Sequence, residues 1–274
     1  LVLVRESRND SFRTGGVIEG MTGYPVMGQI PLLPSKRRED AIQYLAEKPT
    51  SVMAESIRNL RTSTLLSNVD NPPQIIVISS SIPGEGKTTL SLALSQNIVG
   101  MGKKVLLIEG DIRRRVLTKF LQKKNQSPKG LIAVLKGEQT LQDTVVHDEL
   151  VGADILLGDK NSANAADIFA SERFGKLLEE ARSTYDYIII DTPPVLIVPD
   201  ARIIAQFADA LLFAVKWDST SRAQVFESLK LFESVKHPVT GIVLNQISQK
   251  GMKRYGYGGK YGAYASYGMK YYVN

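Results

Sequence analysis

Gly84-Glu85-Gly86-Lys87-Thr88-Thr89 lies inside the stretch SSSIPGEGKTTLSLAL (79–94), where a β-branched run hands over to a helical pattern. Glycine N–H groups and a helix N-terminus placed together can surround phosphate oxygens. In such a loop Lys87 reaches the β- and γ-phosphates of a nucleotide, and the Thr88 hydroxyl holds Mg²⁺. Pro83, Gly84, Glu85, Gly86, Lys87, Thr88 and Thr89 are therefore the candidate nucleotide contacts. A glycine turn without function is the alternative, and the strand, the spacing and the Lys-Thr pair together outweigh it. Ser81 replaces the first glycine of G-x-x-x-x-G-K-[ST], which moves the chain toward the deviant P-loop branch.

Two further stretches bring carboxylates to strand ends. YIIIDTPPV (187–195) puts Asp191 at the carboxyl end of a buried strand, where ligands bind in open α/β sheets. A carboxylate there can hold Mg²⁺ directly or through water. VLLIEGDIRRR (105–115) ends the next strand with Glu109 and Asp111, which share one face if the strand persists. One acid would then assist the metal while the other accepts a proton from a hydroxyl. Lys87, Glu109, Asp111 and Asp191 are the candidate catalytic residues, and Thr88, Asp111 and Asp191 the candidate metal ligands. Two acids at a helix entrance, without a catalytic role, remain the alternative for 109 and 111.

These residues need a scaffold, and the hydrophobic pattern supplies one. Short apolar runs at 74–80, 104–109, 154–158, 185–191, 209–215 and 240–246 read as strands; helical patterns at about 87–101, 171–183, 200–208 and 221–235 fall between them. That alternation predicts an α/β fold with a doubly wound, mostly parallel sheet flanked by helices, a deviant P-loop NTPase. The runs are continuously apolar, as strands covered on both faces must be. Ahead of them, TGYPVMGQIPLLPSKRRED (22–40) reads as an extended segment draped on the core or leading into it, and SVMAESIRNLRTSTLLS (51–67) as a helix. The expected organisation is a leading linker segment over 1–50, a P-loop domain over 51–250, and a flexible tail over 251–274.

Bulk composition excludes several classes. The 274 residues contain no cysteine and two histidines, so disulfides, thiolate metal sites and a histidine cluster are ruled out. No run of 18 apolar residues occurs. The chain starts at Leu1 rather than Met, and the apolar LVLV running into RESRND reads as the stub of something longer. The net charge of +6 points only weakly to nucleic acid, an anionic membrane or acidic ligands.

The final residues, RYGYGGKYGAYASYGMKYYVN (254–274), hold seven of the eleven tyrosines: Tyr255, Tyr257, Tyr261, Tyr264, Tyr267, Tyr271 and Tyr272. Disordered tails are ordinarily poor in aromatics, so solvation alone does not explain this composition. A flexible, glycine-spaced tail can enter an active site as an extended peptide, which makes these tyrosines candidate phosphoacceptors. Adhesive packing or stacking on single-stranded nucleic acid are the competing readings, and neither explains an adjoining nucleotide site.

Taken together, GYPVMGQIP, ESIRNLRTS, SSIPGEGKTT, VLLIEGDIRR, GLIAVLKGE, YDYIIIDTPPV and the tyrosine cluster resemble the bacterial tyrosine kinases, the Wzc-like cytoplasmic domains of capsule and exopolysaccharide export systems. The resemblance covers nearly everything from about residue 20 onward. It implies ATP and Mg²⁺ as ligands, with Asp111 and Asp191 on the metal. Glu109 stands where that family usually has the aspartate proposed to activate the attacking hydroxyl, a departure whose extra methylene displaces the carboxylate by about 1 Å. NSANAADIF (161–169) departs from the usual Asn-Pro pair. MinD- and ParA-like ATPases usually carry a second lysine where this chain has Ile82, and they lack the tail.

The resemblance also implies a role for Glu55, Arg58 and Arg61, which match an E-x-x-R-x-x-R oligomerisation motif. Spacing alone favours a solvated intrahelical ion pair there. The implied arrangement is a ring in which one subunit's tail is phosphorylated by its neighbour. The implied partners are the polysaccharide export machinery, a cognate tyrosine phosphatase and the protein's own transmembrane and periplasmic region, with no nucleic acid. The implied location is the cytoplasmic face of the bacterial inner membrane. Among remaining residues, Asn245 is a candidate contact for the nucleotide base, Arg113–Arg115 for phosphate or a docked tail or else a solvated surface, and Trp217 is expected to pack. His147 and His237 are expected to have no catalytic duty.

Overall fold

The computed structural model describes residues 10–33, 37–121, 129–159 and 165–255. Along the chain these form α1 (Gly15–Thr22), β1 (Val26–Pro31), α2 (Arg38–Glu47), α3 (Val52–Leu65), β2 (Ile75–Ser80), α4 (Lys87–Val99), β3 (Val105–Glu109), α5 (Val116–Leu121), α6 (Leu131–Leu135) and α7 (Leu141–Thr144). They continue with β4 (Val146–Asp148), β5 (Ala153–Leu156), α8 (Ala165–Phe169), α9 (Glu172–Thr184), β6 (Tyr187–Asp191), α10 (Asp200–Ala205), β7 (Ala210–Lys216), α11 (Arg222–Ser234), β8 (Gly241–Ile247) and α12 (Gln249–Arg254).

The strands make one sheet in the order β1-β8-β7-β2-β6-β3-β5-β4. Every pairing is parallel except β4 with β5. The doubly wound, mostly parallel sheet expected from the sequence is thus present. β2 and β3 are buried at every position because alternate side chains feed two separate cores. Ile75 and Val77 face the core closed by Phe174, Leu177 and Phe232 of α9 and α11; Ile76 and Ile78 face Ile57, Leu60, Leu90 and Leu94 of α3 and α4.

Two strands were not among those read from the sequence. β1 lies within the segment read as draped on or leading into the core, and it is built into the sheet as the edge strand beside β8. Its register shifts twice over six residues, and it includes Gly28 and Pro31, so no clean alternation marks it. Gly28 serves packing: a Cβ there would meet Leu60 at 3.1 Å, so its absence lets α3 settle on the strand. The second, β4, has three residues, too few to carry a periodic signal. α2 also joins the core through Ala41, Ile42 and Leu45.

Local signals set the helix starts. Ser51, Ser171 and Ser221 each accept a backbone N–H of the first turn, and Ser221 with Gln224 forms a capping box. Among the described residues, no helix is long and apolar enough to cross a membrane.

Candidate nucleotide site

β2 ends at Ser80 and α4 begins at Lys87, so the intervening loop must reverse direction at the carboxyl edge of the sheet. Gly84 and Gly86 make that possible, with φ of +89° and +88° in the left-handed region. Gly86 has a second reason to lack a side chain, since a Cβ would lie 2.6 Å from Asn245 Nδ2. α4 starts without a side-chain cap. Its early amides are left to a ligand, the geometry that binds phosphate.

The outer side of the loop is tied down. Asn245 Nδ2 donates to the Glu85 carbonyl at 2.9 Å, and Gln246 Nε2 to the Gly84 carbonyl at 3.1 Å. Asn245, expected near a base, is thus engaged with the loop itself. The Glu85 side chain takes no part in the cradle, which leaves its backbone amide as the group that can meet phosphate. Glu85 is 1% exposed, its carboxylate turned away from the cradle and accepting from Ile82 N, Lys216 N and Thr220 Oγ1. Burial raises its pKa, a rise those hydrogen bonds oppose without cancelling.

Thr88 and Asp191, 103 positions apart, meet directly: Thr88 Oγ1 donates to Asp191 Oδ2 at 2.7 Å. Ser91, one turn further along α4, adds a longer contact of 3.4 Å to Oδ1. Asp191 is buried, and desolvation lifts its pKa to about 6, with Asp111 and Glu109 adding to the rise while Lys87 and Thr88 oppose it. Asp111 is also buried, and its Oδ1 accepts from Arg114 N at 3.1 Å. A hydroxyl and two buried carboxylates are hard oxygen donors, and a dication beside them would relieve the carboxylates' mutual repulsion, so Thr88, Asp111 and Asp191 fit Mg²⁺.

Glu109 behaves otherwise. β3 ends at Glu109, and the next two amides, Gly110 N and Asp111 N, both donate to the Asp191 carbonyl. The strand does not persist, so Glu109 and Asp111 do not form the expected one-faced pair. Glu109 is fully buried and accepts from Thr118 N at 3.0 Å, Thr118 Oγ1 at 2.5 Å and Gly158 N at 2.9 Å. Both carboxylate oxygens are occupied in holding α5 and the turn after β5. This geometry corrects its expected role as an open proton acceptor.

The arginine run divides. Arg113 forms a two-pronged pair with fully buried Asp200 at 2.9 and 3.2 Å; Arg115 Nε donates to the Gly158 carbonyl; Arg114 is exposed. Glu55 and Arg58 are paired along α3, and Arg61 Nη1 reaches Asn97 Oδ1 on α4 at 2.9 Å, so within one chain the motif serves α3 and its contact with α4. Trp217 packs as expected, 7% exposed and beside Gly251 and Tyr255. Tyr257, Tyr261, Tyr264, Tyr267, Tyr271 and Tyr272 lie outside the described residues. His147 bonds Asp154 in a cleft of about 410 Å³ at the amino ends of β3 and β6, opposite the site.

Sequence reasoning missed Thr118, Asp200, Lys216, Thr220 and Gln246. Ser91 was within reach, three residues after Thr88 and hence on the same helix face. The others act across the fold and leave no local signature.

An AAA domain model matches residues 73–240. The tyrosine-protein kinase YwqD of Bacillus subtilis is 30% identical over 213 residues, 77% of this chain and 89% of that protein. The succinoglycan biosynthesis transport protein ExoP of Rhizobium meliloti is 27% identical over 91% of this chain and 35% of its own length. Two further relatives named as tyrosine-protein kinases, 31% and 32% identical, are matched over 35% and 34% of their length, so the chain spans about a third of those proteins. The solved kinase domain of the Escherichia coli tyrosine kinase ETK superposes with a TM-score of 0.77 at 26% identity, covering 85% of this chain and 93% of that one. Matches of this breadth, on an AAA domain bearing the loop and carboxylate described above, mean that the chain belongs to the bacterial tyrosine kinase family.

Proposed function

We propose that the chain is the catalytic domain of an ATP-dependent tyrosine autokinase that phosphorylates its own C-terminal tyrosines. The observation that carries this reading is the Thr88–Asp191 hydrogen bond, which joins the phosphate loop to a buried carboxylate at the carboxyl edge of the sheet. Mg²⁺, when bound, neutralises charge on the β- and γ-phosphates. The amides of the loop and Lys87 orient the triphosphate, and Asp191 holds the Thr88 hydroxyl in place. The attacking tyrosine oxygen forms a bond to the γ-phosphorus as the bond to the β–γ bridging oxygen breaks, and ADP leaves. The phenolic proton passes to Asp111, whose Oδ2 has no donor among the described residues.

The acceptors are Tyr255, Tyr257, Tyr261, Tyr264, Tyr267, Tyr271 and Tyr272, reached from a neighbouring subunit. Glu55, Arg58 and Arg61 form the contact between subunits; Arg58, with a side chain 41% exposed, stands at the surface of α3, its guanidinium shared between Glu55 and the Pro49 carbonyl within the chain. Each phosphate adds roughly −1.5 to −2, so seven would add about −10 to −14 and overturn the chain's +6, loosening a ring held by docked tails. The kinase would act in exopolysaccharide or capsule export at the cytoplasmic face of a bacterial inner membrane, with a phosphatase resetting the tail; the likeness to ExoP supports this setting.

A MinD- or ParA-like positioning ATPase or a nucleotide-sensing scaffold is not favoured, given Ile82 in the signature-lysine position and kinase-named relatives. Incubation with Mg-ATP and mass spectrometry of the C-terminal peptide, wild type against Lys87→Met, tests the proposal. Phosphotyrosine beyond residue 250 in wild type alone is expected; an unmodified tail on a protein that binds ATP would overturn it. Sedimentation of a Glu55/Arg58/Arg61 triple-alanine variant tests the ring, which requires a smaller species.

A further inference from the structure

A carboxylate inside a phosphate-binding loop is an electrostatic liability unless something turns it away, and this chain has one. Glu85 stands between two left-handed glycines, where the backbone amides must converge on phosphate. Its side chain passes under the loop and accepts from Ile82 N at 2.7 Å, from Lys216 N at 3.3 Å and from Thr220 Oγ1. The first bond closes the loop on itself. The other two fasten it to the last residue of β7 and to the turn that follows, a separate part of the chain. On the opposite side Asn245 and Gln246 hold the Glu85 and Gly84 carbonyls outward.

The consequence is directional. With their carbonyls held outward, the peptide units of the loop tip present their N–H groups inward, and among the described residues the amides of Gly84 through Thr89 have no acceptor. Preorganised amides of this kind bind anions without having to reorient first. The same bonds move the Glu85 charge to the far side of the loop.

The geometry points to Glu85, acting through Thr220, as a positioning residue that holds the phosphate loop in its anion-binding shape. Neither side chain touches the nucleotide. The inference rests on the nucleotide-site reading above, and its test separates the two. Thr220 is fully buried and its hydroxyl also accepts from Lys216 N at 3.1 Å, so Thr220→Val removes one group at constant shape and Thr220→Ser restores it. Binding of a fluorescent ADP analogue with Mg²⁺ to the full chain is the readout, with melting of the nucleotide-free protein measured alongside.

Thr220→Val should weaken binding about tenfold, the equivalent of one hydrogen bond to a charged group. Glu85→Ala should weaken it further, and Thr220→Ser should return it to within about twofold of wild type. Lowered melting with unchanged affinity in Thr220→Val would overturn the inference, because the contact would then be structural only. Glu85→Ala is the variant exposed to misfolding, and the Thr220 pair decides the matter without it. Wild-type protein that binds no nucleotide would instead defeat the earlier reading, on which this one depends.

Discussion

The Arg13 guanidinium lies over the ring of Tyr255, 3.5 Å from its centroid, and Arg13 Nε is paired with Asp218 at 2.6 Å. Trp217 completes the cluster: its indole Nε1 donates to the Arg13 carbonyl, and its ring sits 6.2 Å from that of Tyr255. The root of the tail is thereby fastened to a segment near the chain's other end. A cation–π contact of this exposure contributes about 1 kcal/mol. Arg13→Ala should therefore free the root while the fold stays intact. Timed digestion with trypsin, which cuts after Lys253 and Arg254, should run several-fold faster in the variant; an unchanged rate would show that Arg13 does not hold the tail.

Gly86→Ala tests the loop. A left-handed φ costs a residue with a Cβ about 1–2 kcal/mol, and here the added carbon would also press on Asn245 and Gln246 at 2.6 and 2.8 Å. Both penalties fall on the contacts that orient the loop carbonyls. Nucleotide affinity should drop at least about tenfold while the melting temperature moves only a few degrees. Wild-type affinity would mean that the loop reshapes freely on binding.

Asp191 predicts a pH dependence. Desolvation first, then Asp111 and Glu109, raises its pKa to about 6, so the folded protein holds this proton more tightly than the unfolded chain does. Its contribution to stability is present at about pH 4 and below and is lost as pH rises through about 6. Two pK units correspond to about 3 kcal/mol. Nucleotide-free Asp191→Asn in chelator should accordingly melt above wild type at pH 8, with the gap closing toward pH 4. A gap that is the same at both ends would remove the buried charge as its cause.

The parts of this site that were legible in the sequence share one property: their signal is local. The loop 84–89 is contiguous, and Asp191 terminates an unbroken apolar strand, so motif and position coincide. Glu109 shows the limit. Its place at the end of β3 could be read from VLLIE, but the direction of its carboxylate depends on Thr118 and Gly158, nine and 49 residues onward. β1 was obscured for a related reason: an edge strand with shifted register, a glycine at a buried position, and packing from α3 against Gly28 and from Gly15 of α1 against Val26 and Gln29 need not alternate. Glu85 could be placed in the loop from its neighbours, but the direction of its side chain, toward Lys216 and Thr220 more than 130 residues onward, could not.

The three donors on Glu109 also yield a decisive experiment. A general base in this position would contribute about 10²–10⁴-fold to the rate, all of it lost in a glutamine variant. A carboxylate that only anchors α5 would instead register in stability, because Glu109→Gln keeps one acceptor but turns an amide N–H₂ toward a donor. Unsatisfied groups at a buried site cost about 1–3 kcal/mol. Glu109→Gln should therefore lower the melting temperature by several degrees while autophosphorylation, measured below that transition, stays within about tenfold of wild type. Asp111→Asn should do the reverse, losing at least about a hundredfold in rate with a small change in melting. If the two variants exchanged phenotypes, Glu109 would be the proton acceptor after all, reached by a rotation that releases Thr118.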